Sequence, residues 1–149
     1  VDAEIRTASG DLPPEEQRPV AEVFVDGAAR GNPGPAGIGI VIRLDGQFRR
    51  HKEFVGRRTN NEAEYLALLK ALSILSTMKV SRAVIYSDSE LLVKQLSGEY
   101  KVRSGHLRNL HQKALRQLSM LSARVVHVDR PSNDEADRLA NEAIDESSS

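Results

Sequence analysis

Residues 23–46 read VFVDGAARGNPGPAGIGIVIRLDG, and this stretch decides the fold. Val23-Phe24-Val25 opens an apolar strand that runs into Asp26-Gly27. Arg30-Gly31-Asn32-Pro33-Gly34-Pro35 follows, rich in turn formers and too broken for a helix. Ile38-Gly39-Ile40-Val41-Ile42 is a second strand, and Asp45-Gly46 is a strong hairpin signal into a third, Gln47 to Val55. The chain therefore begins its folded part as a meander of three antiparallel strands.

Outward from there the elements alternate. Thr59-Asn60-Asn61 can cap a helix running to about Met78, and Ala83-Val84-Ile85-Tyr86 is a short strand. Helices over Ser89–Leu96 and Gly105–Leu121, a strand over Val125–Val128 and a helix over Asn133–Asp145 complete the pattern. A meander continued by strands with helical crossovers predicts an α/β fold with a five-stranded mixed sheet. Residues 1–21, with Pro13-Pro14, read as a flexible leader, 22–145 as one domain, and 146–149 as a frayed, disordered tail.

The chain has 149 residues, 40% of them apolar and 28% charged, which is ordinary globular composition. It has no cysteine, so a disulfide framework and cysteine-based zinc sites are excluded. No apolar run approaches the ~18 residues of a membrane span, and the first residues lack the basic and apolar regions of a signal peptide. The expectation is a soluble, cytoplasmic monomer.

The formal charge of zero hides a division. Residues 1–22 carry net −4 and residues 133–149 net −5, which leaves +9 on residues 23–132. Arg outnumbers Lys 15 to 6, and its planar fork suits phosphate. A basic body with acidic ends points to a polyanionic partner, or simply to solvated faces.

Four carboxylates occupy special places. Asp26 ends the first strand, where ligand sites gather in α/β sheets, although Asp-Gly is also a common turn. On the first long helix Glu64 shares its face with Leu68, Ala71, Leu72 and Leu75, whereas Glu62 shares its face with Leu66, Leu69, Lys70 and Ser73. Glu64 thus lies on the sheet-facing stripe, where an unpaired carboxylate is costly, and Glu62 suits the helix N-terminus. Asp88 follows a strand at a strand-to-helix junction, with helix capping as its plainer role. Asp137 shares a line with Ala140 and Ile144, whereas Asp134 and Glu135 are explained by the helix dipole. Four such oxygen ligands suit hard divalent cations such as Mg²⁺, but spacing alone does not bring them together.

These residues resemble type 1 ribonuclease H. The segments that carry the resemblance are Asp26-Gly27-Ala28-Ala29-Arg30-Gly31-Asn32-Pro33-Gly34-Pro35-Ala36-Gly37, Thr59-Asn60-Asn61-Glu62-Ala63-Glu64-Tyr65, Tyr86-Ser87-Asp88-Ser89 and Asn133-Asp134-Glu135-Ala136-Asp137-Arg138-Leu139-Ala140. They occur in the family's order across about residues 22–145. The resemblance implies the ribonuclease H-like fold and cleavage of the RNA strand of RNA–DNA hybrids, leaving 3′-hydroxyl and 5′-phosphate ends. It also implies that Asp26, Glu64, Asp88 and Asp137 hold two Mg²⁺ ions (Mn²⁺ being an alternative) about 4 Å apart around the scissile phosphate. By the same resemblance Asn32, Asn60 and Asn61 contact the minor groove and the 2′-hydroxyls, while Arg57 and Thr59 grip a DNA-strand phosphate. Read locally, the asparagines are also common turn and cap residues.

One departure concerns the loop before the last helix, where many family members carry a histidine. Here the connection Val128-Asp129-Arg130-Pro131-Ser132-Asn133 is short and has none. His127 precedes it and alternates with Val126 and Val128, which suits a structural or solvent-facing role; Arg130 is the candidate substitute. Residues 94–116 hold six bases against Glu99, either a DNA-phosphate contact or an exposed helical face. Two alternative functions stay open: a noncatalytic nucleic-acid-binding module, and a nuclease of the same fold that acts on double-stranded RNA.

Overall fold

The computed structural model describes residues 13–147. Its elements are β1 (Ala21–Ala29), β2 (Gly34–Leu44), β3 (Gln47–Arg58), α1 (Asn60–Thr77), β4 (Arg82–Ser87), α2 (Glu90–Leu96), α3 (Gly105–Leu118), β5 (Ser122–His127) and α4 (Asp134–Ser147). One sheet holds all five strands in the order β3-β2-β1-β4-β5. β1 and β3 pair antiparallel to β2, while β1, β4 and β5 are mutually parallel. The mixed α/β sheet expected from the hydrophobic pattern is therefore present.

Strand alternation divides the packing into two layers. Val23 and Val25 of β1 and Ile38, Ile40 and Ile42 of β2 point to one face, where Tyr65, Leu68, Leu72 and Leu75 of α1 bury them. α1 lies between the sheet and the helices α2 and α3, so it is apolar on more than one side. On the opposite face α4 packs across β2, β1 and β3 through Ala136, Leu139, Ala140 and Ala143.

Boundaries differ from expectation in instructive ways. β3 continues past Val55 to Arg58, because its end pairs with Gly34 and Pro35 at the start of β2 around a bulge at Ala36/Gly37. α3 stops at Leu118 rather than Leu121, and Ser122 N–H then donates to Ser81 O at 2.8 Å, which opens β5 three residues early. α4 runs on to Ser147, so Glu146 and Ser147 are helical rather than frayed. Residues 1–12 of the expected leader, and Ser148 and Ser149 of the expected tail, lie outside the described residues. Residues 13–18 are held at the start of β4, where Arg82 donates to Glu16 O at 2.9 Å and to Arg18 O at 3.1 Å.

Among the described residues no helix is long and apolar enough to cross a membrane. The charge division is partly consumed inside the fold. Lys52 of β3 pairs with Glu142 (3.2 Å) and Glu146 (2.6 Å) of α4, Arg50 pairs with Glu135, and Arg30 meets Asp145 at 2.6 Å. Part of the basic body thus answers the acidic C-terminal helix rather than an external polyanion.

Candidate active site

β1 is where the strand order changes direction, since its neighbours are the antiparallel β2 and the parallel β4. Its parallel register with β4 ends at Val25↔Ser87, so Asp88 leaves the sheet beside Asp26, which does not end its strand as expected but stays in β1, paired with β2 as far as Ala29. This is the strand-end crevice at which open α/β sheets collect ligands.

Two glycines let helices close on that point from both faces. A Cβ on Gly27 would stand 2.2 Å from the backbone of Ala63 and 2.4 Å from Glu64 N, so only glycine lets α1 approach β1 here. Asp26 lies opposite Gly39 on β2, and a Cβ on Gly39 would stand 2.1 Å from Ala136 O of α4. α1 therefore delivers Glu64 from one face, and α4 delivers Asp137 from the other.

Oxygen atoms of Asp26, Glu64 and Asp88 lie within 4.8 Å of one another. Asp137 stands outside this set of three but close enough for its carboxylate to act on Asp26. Asp26 and Glu64 are buried, and the Asp88 side chain is 9% exposed. Burial, before all else, pushes Asp26 up to about 9, with the charge of Asp88, the hydrogen bond and charge of Asp137, and the charge of Glu64 acting the same way. Burial also pushes Glu64 up to about 7 and Asp88 adds to the rise, while the Ser89 hydroxyl, Arg130 and the Asn60 side chain pull it back. Without a cation the cluster keeps a proton among its carboxylates at neutral pH.

Each supporting side chain has a clear address. Ser89 Oγ donates to Glu64 Oε1 at 2.9 Å and accepts Leu92 N–H at 3.1 Å. Arg130 lies at the rim, its Nε 3.9 Å from Asp88 Oδ2 and its side chain 86% exposed. His127 is exposed at the end of β5, in keeping with a solvent-facing role. Glu62 closes a capping box with Thr59 and meets His106 at 2.7 Å.

The three asparagines converge only in part. Asn32 Oδ1 accepts Asn60 N–H at 2.9 Å, and Asn60 Oδ1 accepts Ala29 N–H at 3.3 Å, so both stand at one exposed corner beside Glu64. Asn61 instead turns inward, donating Nδ2 to Gln95 Oε1 at 3.3 Å. Arg57 is exposed on β3, and Thr59 Oγ1 is occupied by the N–H of Glu62 at 3.1 Å. Arg58, next to Arg57, is half-buried and donates to Val55 O at 3.0 Å.

The bond from Ser89 to Glu64 has no signal in the sequence. The two residues are 25 apart, and no local pattern reports such a pairing. A groove of about 580 Å³ over Gln95, lined by Tyr100, Lys101, Arg103 and Ser104, was likewise visible only as a run of bases. Oxygen-only, buried and mutually repelling, the cluster has the donor set of a hard divalent cation site.

Comparison with known proteins agrees with this geometry. The family described as "Reverse transcriptase-like" matches residues 24–143. A ribonuclease H of Halorhodospira halophila is 34% identical over 147 residues, covering 88% of this chain and 97% of its own length. Ribonuclease HI of Halobacterium salinarum is 38% identical over 126 residues, covering 83% of this chain, which spans 63% of that relative's length. The crystal structure of LC11-RNase H1 in complex with an RNA/DNA hybrid superposes with a TM-score of 0.81 at 39% identity, covering 87% of this chain and 99% of that one.

Proposed function

Because the chain belongs to the ribonuclease H family, we propose that residues 22–145 form an endoribonuclease domain that hydrolyses the RNA strand of RNA–DNA hybrids, leaving 3′-hydroxyl and 5′-phosphate ends. The observation that carries this reading is the convergence of Asp26, Glu64 and Asp88 within 4.8 Å, with Asp137 beside them and acting on Asp26. All four come from one chain, so a monomer suffices.

Asp26, Glu64, Asp88 and Asp137 would hold Mg²⁺, or Mn²⁺ in its place. When bound, such cations supply Lewis-acid stabilisation of the phosphate and a more acidic water. The chain's own residues do the rest. Asp26 stands at the centre of the group, touched by the charges of the other three carboxylates. Ser89 fixes one oxygen of Glu64 and leaves the other to the site. Arg130, exposed beside Asp88, can meet a phosphate oxygen, but its guanidinium stays charged and cannot serve as a base. Proton transfer in the missing histidine's place then falls to solvent.

Selection of RNA follows from the corner that holds Asn32 and Asn60. Their side-chain oxygens are engaged with backbone N–H groups, and the Asn60 amide also serves Glu64, so Asn32 Nδ2 is the donor this corner offers to 2′-hydroxyls or base edges. Asn61 contributes by bracing this corner against Gln95. Arg57 and Thr59 lie beside it, where a DNA-strand phosphate would pass.

The test is cleavage of matched hybrid, RNA duplex and DNA duplex with Mg²⁺, run on the natural chain and on Asp26→Asn. We expect hybrid cleavage to dominate and the variant to keep its fold while losing more than the ~10–100-fold typical of an outer-shell partner. Near-normal turnover by the variant, or equal cutting of DNA duplex, refutes the reading.

A further inference from the structure

Asn133 is 1% exposed and sits in the short turn between β5 and α4, yet the cleavage reading gives it no role. Its Nδ2 donates to Val25 O at 2.8 Å. Val25 is the last residue of the β1–β4 ladder and the residue before Asp26. Asn133 itself immediately precedes α4, one helical turn before Asp137. A single amide therefore ties the strand that carries Asp26 to the helix that carries Asp137.

The other end of the same amide is left out. Asn133 Oδ1 is buried and has no hydrogen-bond partner. A buried acceptor without a partner costs free energy, and a residue serving only to fill space would be better replaced by an apolar one. What the asparagine adds is the donor to Val25, which ties β1, just before Asp26, to the turn that opens α4. Gly39 acts on the same contact from the next strand, since it lets Ala136 O approach the sheet.

We infer that Asn133 is a positioning residue that sets Asp137 against Asp26, and through that pair sets how tightly the site holds divalent cations. The inference rests on the carboxylate site proposed above. It assigns Asn133 no contact with substrate.

The test uses the full chain and four variants: Asn133→Ala, Asn133→Ser (its hydroxyl stops about one bond short of Val25 O), Asp137→Ala, and Asn133→Ala combined with Asp137→Ala. Mg²⁺ affinity is measured by calorimetry without nucleic acid, beside thermal melting and the Mg²⁺ concentration for half-maximal hybrid cleavage. Either Asn133 variant should weaken Mg²⁺ binding about three- to tenfold and raise the half-maximal concentration by a similar factor. In the Asp137→Ala background, adding Asn133→Ala should change neither by more than about twofold, because residues acting as one unit are not additive. A lowered melting temperature with Mg²⁺ affinity unchanged makes Asn133 a scaffold residue and overturns the inference. So do multiplying effects in the double variant, or loss of the fold in both Asn133 variants. The proposed activity fails separately, if the natural chain binds Mg²⁺ but does not cut hybrid, and the binding measurements still decide the role of Asn133.

Discussion

The Ser89 hydroxyl joins two tasks: its hydrogen goes to Glu64 Oε1 at 2.9 Å, and its oxygen receives Leu92 N–H at 3.1 Å to cap α2. One small side chain thereby orients a buried carboxylate and begins the helix that follows Asp88. Ser89→Ala should cost about 1 kcal/mol through the lost cap. It should also push Glu64 further above its ordinary value, because a hydrogen bond to the charged form disappears. The acidic limb of the cleavage pH profile then moves to higher pH. A profile that stays in place while the melting temperature falls would limit Ser89 to capping.

The cluster also gives the cation-free protein an unusual pH dependence. Asp26 titrates at about 9 in the folded chain against an ordinary 3.8, and Glu64 at about 7 against 4.5. Between these limits the native state binds more protons than the unfolded chain, so the site's contribution to stability is fully present below about pH 4 and is lost as pH rises through 7 and then 9. Melting in a chelator at about pH 5.5 and about pH 8.5 should show this fall, and Asp26→Asn should flatten it. Mg²⁺ should raise the melting temperature more at the higher pH. Equal slopes in the natural chain and the variant would remove Asp26 as the source.

Gly27 and Gly39 hold the site together by having no side chain. Gly27→Ala sets a methyl group within 2.4 Å of three backbone atoms of α1, and Gly39→Ala sets one 2.1 Å from Ala136 O. Neither backbone can yield as a flexible side chain would. Each variant should lose at least about 1–3 kcal/mol, the usual cost of overpacking. Denaturant unfolding measures it, and stability within about 0.5 kcal/mol of the natural chain would contradict the close approach.

Arg130 makes a contrasting case. With 86% of its side chain exposed, Arg130→Ala should leave stability within about 0.5 kcal/mol. Hybrid kcat/KM should fall about tenfold, or ~1.4 kcal/mol of transition-state stabilisation, and Arg130→Lys should recover only part of it because the planar fork is lost. Unchanged kinetics in both variants would exclude Arg130 from the reaction.

Much of this was legible in the chain itself. The meander, the helical crossovers and the choice of Glu64 over Glu62 follow from periodicity, because burial follows the stripe. Glu64 indeed points inward, while Glu62 closes the capping box with Thr59. Interactions distant in sequence and specific to one atom were not legible: Ser89 to Glu64, Asn133 to Val25, Asn61 to Gln95. The close approaches at Gly27 and Gly39 were hidden too, since glycine in a strand reads equally as a turn or bulge. Charge misled in part. The bases of β3 pair with acids of α4, a match set by packing and not by sequence neighbourhood.

That β3–α4 pairing gives the molecule a front and a back. Arg50 and Lys52 are answered by Glu135, Glu142 and Glu146 on one flank, whereas Lys101 and Arg103 line an open groove beside α2 and α3 on the other. If the substrate is a long anionic rod, as proposed, its approach should be biased toward this groove, where Glu99 offsets one of the two bases. Orientation is thus selected at a distance, and added salt should erode the rate of productive encounter before it erodes the chemistry.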